Sequence, residues 1–221
     1  MNQIITKAVI LAAGMGLRMK AIGEEIPKGF ILLDDQPIIE HSLRTLIAFG
    51  IREIMIVTGH KARYYEDLKK TYPEVRTVEN IRYAETGTVC SLGCARDFID
   101  ADFILLESDL VYDPVAITGI LNAPQSDCLL LSGTTHAGDE VYVEASEKRV
   151  TGISKNLACI KESAGEYIGI ARISKQLYDR LIPFADSNPK LSYDMDCLVH
   201  IADEHPVYYL KMEGLDWAEI D

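Results

Sequence analysis

Four continuous apolar runs mark the first part of the chain: KAVILAAG (7–14), EIMIVTGH (53–60), DFILLESD (102–109) and DCLLLSG (127–133). None alternates with polar residues, which is the pattern of strands buried on both faces of a parallel sheet. Between them PIIEHSLRTLIAFGI (37–51) has apolar residues at helical spacing and stops at a glycine, and RYYEDLKKTY (63–72) is amphipathic. Strand alternating with helix predicts right-handed βαβ crossovers and a doubly wound α/β domain. The rhythm then changes. VYVEASEKRVTGISK (141–155) and EYIGIARIS (166–174) read as alternating strands around a turn, KQLYDRLIPFA (175–185) and YDMDCLVHIADE (193–204) as helices, and VYYLKME (207–213) as a last strand. With no internal repeat and no linker rich in Gly, Pro and Ser, one domain over 1–221 is expected, in two halves, 1–135 and 136–221. In an open α/β sheet ligands gather at the carboxyl ends of the strands, where the order of connection reverses.

Composition narrows the partners. The chain of 221 residues is 48% hydrophobic, enough for one substantial core. A formal net charge of -12 argues against a nucleic-acid partner, so any anionic ligand must be held locally. Cys90, Cys94, Cys128, Cys159 and Cys197 are odd in number, scattered and without C-x-x-C spacing, which predicts reduced thiols in a cytoplasmic protein. The apolar stretch near the N-terminus is too short to span a membrane, and no membrane partner is expected.

The loop after the first run, Gly14-Met15-Gly16-Leu17-Arg18, offers backbone N–H groups that a chain lacking Cβ atoms can bring against a phosphate. It is neither G-x-x-x-x-G-K-[ST] nor G-x-G-x-x-G, which disfavours a P-loop kinase and a dinucleotide dehydrogenase. Arg18 can fork onto two phosphate oxygens, and Lys28 adds a compact cation.

L-A-A-G-x-G-x-R followed about ten residues later by P-K resembles the signature of nucleotidyltransferases that activate sugar phosphates and small phosphorylated alcohols; here these are Leu11 to Arg18 and Pro27-Lys28. The resemblance continues in order through VTGHKARYYEDL (57–68), LLESDLVYD (105–113), VTGISK (150–155), YIGIARIS (167–174) and WAEID (217–221). It implies the nucleotide-diphospho-sugar transferase fold, a Rossmann-like doubly wound mixed, mostly parallel sheet. The first half then binds nucleotide and the second half the acceptor. Within the family the pattern is most similar to the small cytidylyltransferases acting on phosphocholine or 2-aminoethylphosphonate, and PKGF, TGH with YYEDL, LLESDLVYD and GDEVY look most like the aminoethylphosphonate members. Choline members carry a tryptophan after an acidic residue in the segment matching Asp139-Glu140; this chain has Val141 there, and its single tryptophan is Trp217. Carboxylates suit a primary ammonium, whereas a quaternary one needs an aromatic cage.

The resemblance also assigns roles. CTP lies on Leu11, Ala12, Ala13, Gly14, Gly16, Arg18, Thr86, Gly87, Ser91 and Ser108, with Arg18 and Lys28 acting on the phosphates. Ser91 either meets the cytosine edge or caps the helix carrying Leu92, Cys94 and Ala95. Mg²⁺ is expected on Asp109, Asp221 and Glu219, since ESD delivers Asp109 to the ligand edge and alternate residues of WAEID share a face. Lys155 is expected on the acceptor's phosphonate oxygens, and Asp139, Glu140, Asp194 and Tyr193 around its amine. His60 touches a phosphate or makes a structural hydrogen bond. A non-catalytic nucleotide sensor is the alternative of another class, but sensors lose residues such as Lys28 or Asp109, and both are present. The sequence ends inside WAEID, which raises the expectation of a longer polypeptide, as in members fused to an aminotransferase.

Overall fold

The computed structural model describes residues 4–16, 18, 25–188, 195–202 and 204–220. Tyr193, Asp194 and Asp221 therefore lie outside the described residues, as does the start of the helix expected over 193–204.

The chain opens with strand β1 (Lys7–Ala12), a two-residue hairpin β2 (Leu32–Leu33) and β3 (Gln36–Pro37), and helix α1 (Ile38–Ala48). Next come β4 (Glu53–Thr58), α2 (Ala62–Leu68), β5 (Val75–Glu79), α3 (Thr88–Cys94) and β6 (Phe103–Glu107). β7 (Leu110–Tyr112), α4 (Val115–Leu121) and β8 (Cys128–Ser132) complete the first half. The second half holds β9 (Tyr142–Ser146), β10 (Arg149–Ser154), β11 (Ser163–Ile173), α5 (Lys175–Ser187), α6 (Leu198–Ile201), β12 (Tyr208–Lys211) and β13 (Trp217–Glu219).

The main sheet runs β5-β4-β1-β6-β11-β8-β12-β10-β9. Its parallel part, β5-β4-β1-β6, is the βαβ region that the apolar runs predict. Beyond β6 the sheet turns mixed: β11 runs antiparallel to both β6 and β8, while β12 is parallel to β8. β11 also pairs with β9, so β11, β8, β12, β10 and β9 close a ring.

Period two explains why the parallel strands are apolar throughout. Val9, Met55, Val57 and Leu105 enter the core under α3 and α5, while Ala8, Ile10, Ile54, Ile56, Ile104 and Leu106 enter the core under α1, α2 and α4. Burying each such side chain contributes about 1.5–3 kcal/mol, so both faces resist polar substitution. Polar chemistry is pushed to the strand ends. β1, β4, β5 and β6 all end on one edge, and their next residues are Ala13, Gly59, Asn80 and Ser108. Among the described residues no helix is long and apolar enough to cross a membrane, and no disulfide joins the cysteines.

Candidate active site

The segment after β1 is shaped by two glycines with different duties. A Cβ on Gly14 would meet nothing within 4 Å, so its open side faces a cavity, whereas Gly16 holds a left-handed φ of 61°. Gly59, from TGH, lies beneath: a Cβ there would come within 2.8 Å of the Ala13 carbonyl and 2.6 Å of Tyr83 Cβ. His60 donates its backbone N–H to the same carbonyl at 3.3 Å, so TGH buttresses the loop through its backbone. The cavity over the loop holds about 440 Å³ and is lined by all ten residues expected to bind nucleotide, Leu11, Ala12, Ala13, Gly14, Gly16, Arg18, Thr86, Gly87, Ser91 and Ser108. Lys28 and Asp109 stand in the same wall.

Lys28 begins a 3₁₀ turn, Lys28–Phe30, and its Nζ lies 3.0 Å from Asp109 Oδ2 and 4.0 Å from Glu219 Oε1. The approach depends on Gly29, where a Cβ would stand 3.0 Å from the Ser108 carbonyl oxygen. Asp109 is buried, and its carbonyl accepts the Ile220 N–H at 3.0 Å, which brings the WAE strand β13 beside the ESD segment. Carboxylate oxygens of Glu107, Asp109 and Glu219 lie within 4.8 Å of one another. Three hard oxygen donors at that spacing fit Mg²⁺, which takes few protein ligands and leaves positions for water and phosphate. Two of them, Asp109 and Glu219, are expected from sequence. Glu107 is an addition. The sequence holds its signal, because Glu107 and Asp109 are two residues apart at a strand end and share a face.

A second cavity of about 320 Å³ shares Thr88 and Glu107 with the first. Lys155 and Glu219 stand in its wall with Val141, Ile153, Tyr167 and Met195. Tyr167 is the one aromatic ring lining it among the described residues. Asp139 and Glu140 directly precede Val141, but their own side chains are not part of this lining. Asp139 faces Arg18 across 3.8 Å, linking the phosphate loop to the second half. The Glu140 carboxyl is held below the usual range by N–H groups, first its own and then that of Gly138, and by the Tyr142 hydroxyl. Neighbouring Glu166 accepts the Thr135 N–H at 2.7 Å and its hydroxyl at 3.1 Å, yet burial raises its carboxyl above the usual value.

The profile of the MobA-like NTP transferase domain family matches residues 8–146. The chain belongs to this family. It is 30% identical over 134 residues to "CMP-5'-(3-aminopropyl)phosphonate synthase" of Streptomyces rubellomurinus, covering 59% of this chain and 21% of the relative. It is 32% identical over 155 residues to "2-aminoethylphosphonate cytidylyltransferase" of Lancefieldella rimae, covering 68% of this chain and 61% of the relative. Against "Choline-phosphate cytidylyltransferase" of Streptococcus pneumoniae it is 29% identical over 226 residues, 97% of this chain and 93% of the relative. The chain thus spans a fifth to about three fifths of the first two relatives and nearly all of the third. The fold matches "inositol-1-phosphate CTP transferase from T. maritima" with a TM-score of 0.84 at 19% identity, over 100% of this chain and 91% of that one. The nucleotide-diphospho-sugar transferase fold is thereby established, with the mixed sheet described above.

In this MobA-like domain two further residues shape the site. Asn80, buried at the end of β5, donates its amide to Thr86 Oγ1 at 2.9 Å and Ser91 Oγ at 3.0 Å, and its Oδ1 accepts the Arg82 N–H at 3.0 Å. This network fixes the Thr86–Ser91 wall. Ser91 does not cap α3: Gly87 occupies the N-cap, and the Ser91 hydroxyl donates back to the Gly87 carbonyl at 3.3 Å. Gly169, within the β11 bulge between Tyr167 and Ala171, has φ of 80°. A Cβ there would press on Glu107 Cγ at 3.3 Å and Leu110 Cδ1 at 3.2 Å. Gly169→Ala is therefore expected to cost about 1–2 kcal/mol through the left-handed backbone alone, lowering Tm by roughly 2–8 °C. By displacing Glu107 it should also weaken the hold of the carboxylate cluster on a divalent cation. Calorimetric melting and Mg²⁺ titration check this; a variant with unchanged Tm and Mg²⁺ affinity would show that the bulge has slack.

Proposed function

We propose that this domain is an Mg²⁺-dependent cytidylyltransferase that transfers CMP from CTP to 2-aminoethylphosphonate. The carrying observation is the seam between the cavities: Glu107 lines both, Lys28 and Asp109 line the first, and Glu219 lines the second. A reaction that joins a nucleotide to a second anion needs its charge-neutralising groups at such a seam. CTP occupies the first cavity, its triphosphate on the 13–18 loop with Arg18. The acceptor occupies the second, its phosphonate oxygens on Lys155. For its ammonium the candidates are Asp139 and Glu140, whose side chains stand outside the cavity lining and are engaged by Arg18 and by the backbone of their own turn, and Tyr193 and Asp194.

A phosphonate oxygen attacks the α-phosphorus in line; the new P–O bond forms as the bond to the bridging β-phosphate oxygen breaks, and pyrophosphate leaves with the electron pair. No protein nucleophile is required, because the acceptor brings its own oxyanion. Lys28 donates to the oxygens around the α-phosphorus, where charge builds as bond order changes. Glu107, Asp109 and Glu219, with Asp221, would hold Mg²⁺, which when bound polarises phosphate oxygens and neutralises the leaving group.

The choice of acceptor is supported by Val141. This is the position where choline members of the family carry tryptophan, and it lines the second cavity, where Tyr167 is the lining ring among the described residues. A quaternary ammonium gains from several rings, whereas a primary ammonium gains from carboxylates and hydroxyls. The two aminoalkylphosphonate relatives point the same way; the length of the match to the choline-phosphate enzyme favours phosphocholine as the rival. The test is pyrophosphate release with CTP and a panel of acceptors. The expected result is kcat/KM for 2-aminoethylphosphonate at least about 10²-fold above that for phosphocholine, the size of a discrimination built on unmatched polar groups. Robust turnover of phosphocholine with none of aminoethylphosphonate would reverse the assignment. CTP binding with no pyrophosphate release from any acceptor would support a sensor.

A further inference from the structure

The polar wall of the nucleotide cavity at Thr86, Gly87 and Ser91 is held from behind by Asn80, which is 3% exposed and lies outside the lining. The orientation of its amide follows from its partners. A backbone N–H only donates, so the atom that meets the Arg82 N–H at 3.0 Å is the amide oxygen. The NH₂ group must then face Thr86 Oγ1 at 2.9 Å and Ser91 Oγ at 3.0 Å, one proton to each. Both hydroxyl oxygens accept from Asn80, and their own protons go to carbonyls: Thr86 to Arg82 at 2.9 Å, Ser91 to Gly87 at 3.3 Å.

A hydroxyl carries one proton and two lone pairs. With the proton on a carbonyl and one lone pair on Asn80, a single lone pair on each oxygen is left for a ligand. Thr86 and Ser91 are thus acceptors only toward the cavity, although a free hydroxyl rotates to suit either kind of partner. Cytosine presents an amino donor at C4, where uracil presents a keto acceptor. Acceptor against acceptor leaves both groups unpaired away from water, which is the costly case.

We infer that Asn80 is a positioning residue that sets nucleotide choice: it holds the Thr86 and Ser91 hydroxyls with their protons turned from the cavity, so that the wall takes an amino pyrimidine and refuses a keto one. This rests on the proposed function, in which the nucleobase lies on this wall. The preference for CTP over UTP then originates in a buried side chain outside the cavity lining. Without Asn80 each hydroxyl hangs from one carbonyl and can turn its proton to the ligand.

The test is calorimetric binding, with Mg²⁺, of CTP, UTP and the triphosphate of pyrimidin-2-one riboside, which carries only hydrogen at C4. Wild type is expected to bind CTP about 10–100-fold tighter than UTP, with the pyrimidinone between them. UTP falling below an analogue that lacks the group marks repulsion rather than a missing bond. Asn80→Ala should lower the CTP-to-UTP affinity ratio at least about fivefold, weakening CTP and strengthening UTP; a merely structural Asn80 would weaken all three nucleotides alike. Thr86→Val with Ser91→Ala should lower the ratio as far, and adding Asn80→Ala to that pair should lower it no further. If Asn80→Ala does not fold, the wild-type order and the Thr86/Ser91 pair decide. An unchanged ratio in Asn80→Ala or in the pair, a further fall in the triple variant, or wild type binding UTP as tightly as CTP or the pyrimidinone would each overturn the inference. Binding needs no acceptor and no turnover, so absence of pyrophosphate release would fell the proposed function while these affinities still decided the role of Asn80.

Discussion

Lys28→Ala is expected to lower kcat for pyrophosphate release by about 10²–10³-fold while the protein stays folded. The loss belongs in kcat. In the proposed reaction Lys28 acts where the α-phosphorus exchanges its bond, whereas ground-state grip on the triphosphate is shared by the backbone after β1 and Arg18. Removing the lysine also leaves Asp109, itself buried, without the cation that stands 3.0 Å away. A buried charge that loses its partner is destabilising. The metal-free variant should therefore melt below wild type, and added Mg²⁺ should recover part of the difference. Stopped-assay kinetics with and without Mg²⁺, paired with melting curves, check both statements. Near-normal turnover would remove Lys28 from the transition state.

Asp109→Asn carries the second large effect: turnover should fall below about 10⁻³ of wild type at any Mg²⁺ concentration, because the amide keeps the volume and loses the charge that a hard cation requires. Asp109 is the most buried of the three clustered carboxylates, so its position is the least able to adjust. Glu219→Gln should be milder, since Glu219 sits farther from Lys28 and is more exposed than Asp109. An Asp109→Asn variant with the Mg²⁺ dependence of wild type would reject Asp109 as a ligand.

Much of this site was legible in the sequence because the chemistry sits where apolar runs stop. β1, β4 and β6 are continuous runs buried on both faces, so the glycines and carboxylate just beyond their ends, Gly14, Gly59 and Asp109, stand out. β5 escaped that reading. VRTVE is a sheet edge, with Arg76 and Glu79 exposed, and its pattern has neither the length nor the hydrophobicity of a central strand. The strand order beyond β6 is not encoded locally: the insertion of β11 between β6 and β8 is a long-range pairing that no local period carries.

At the site, the phosphate loop, Lys28, Asp109 and Glu219 were found by motif, and the structure brings them together with Glu107. Glu107 stands two residues before Asp109, the same spacing that separates Glu219 from Asp221 in WAEID. Asn80 carries no motif, because its role exists only through Thr86 and Ser91, partners reached across a loop. The acceptor side was the least legible. Val141 and Lys155 line the second cavity, while the Glu140 carboxylate is engaged by the backbone of its own turn and by Tyr142. Side-chain direction in a loop has no period from which to read it.

The central claim is that two anions are joined across the seam at Glu107. Phosphorus NMR of the protein with CTP, 2-aminoethylphosphonate and Mg²⁺ tests it most directly, by following the products themselves. The account predicts that pyrophosphate and a mixed phosphonate–phosphate anhydride grow together in equal amounts, and that neither forms when Mg²⁺ is chelated. Pyrophosphate appearing with free CMP and unreacted phosphonate, or CTP remaining intact, would contradict it.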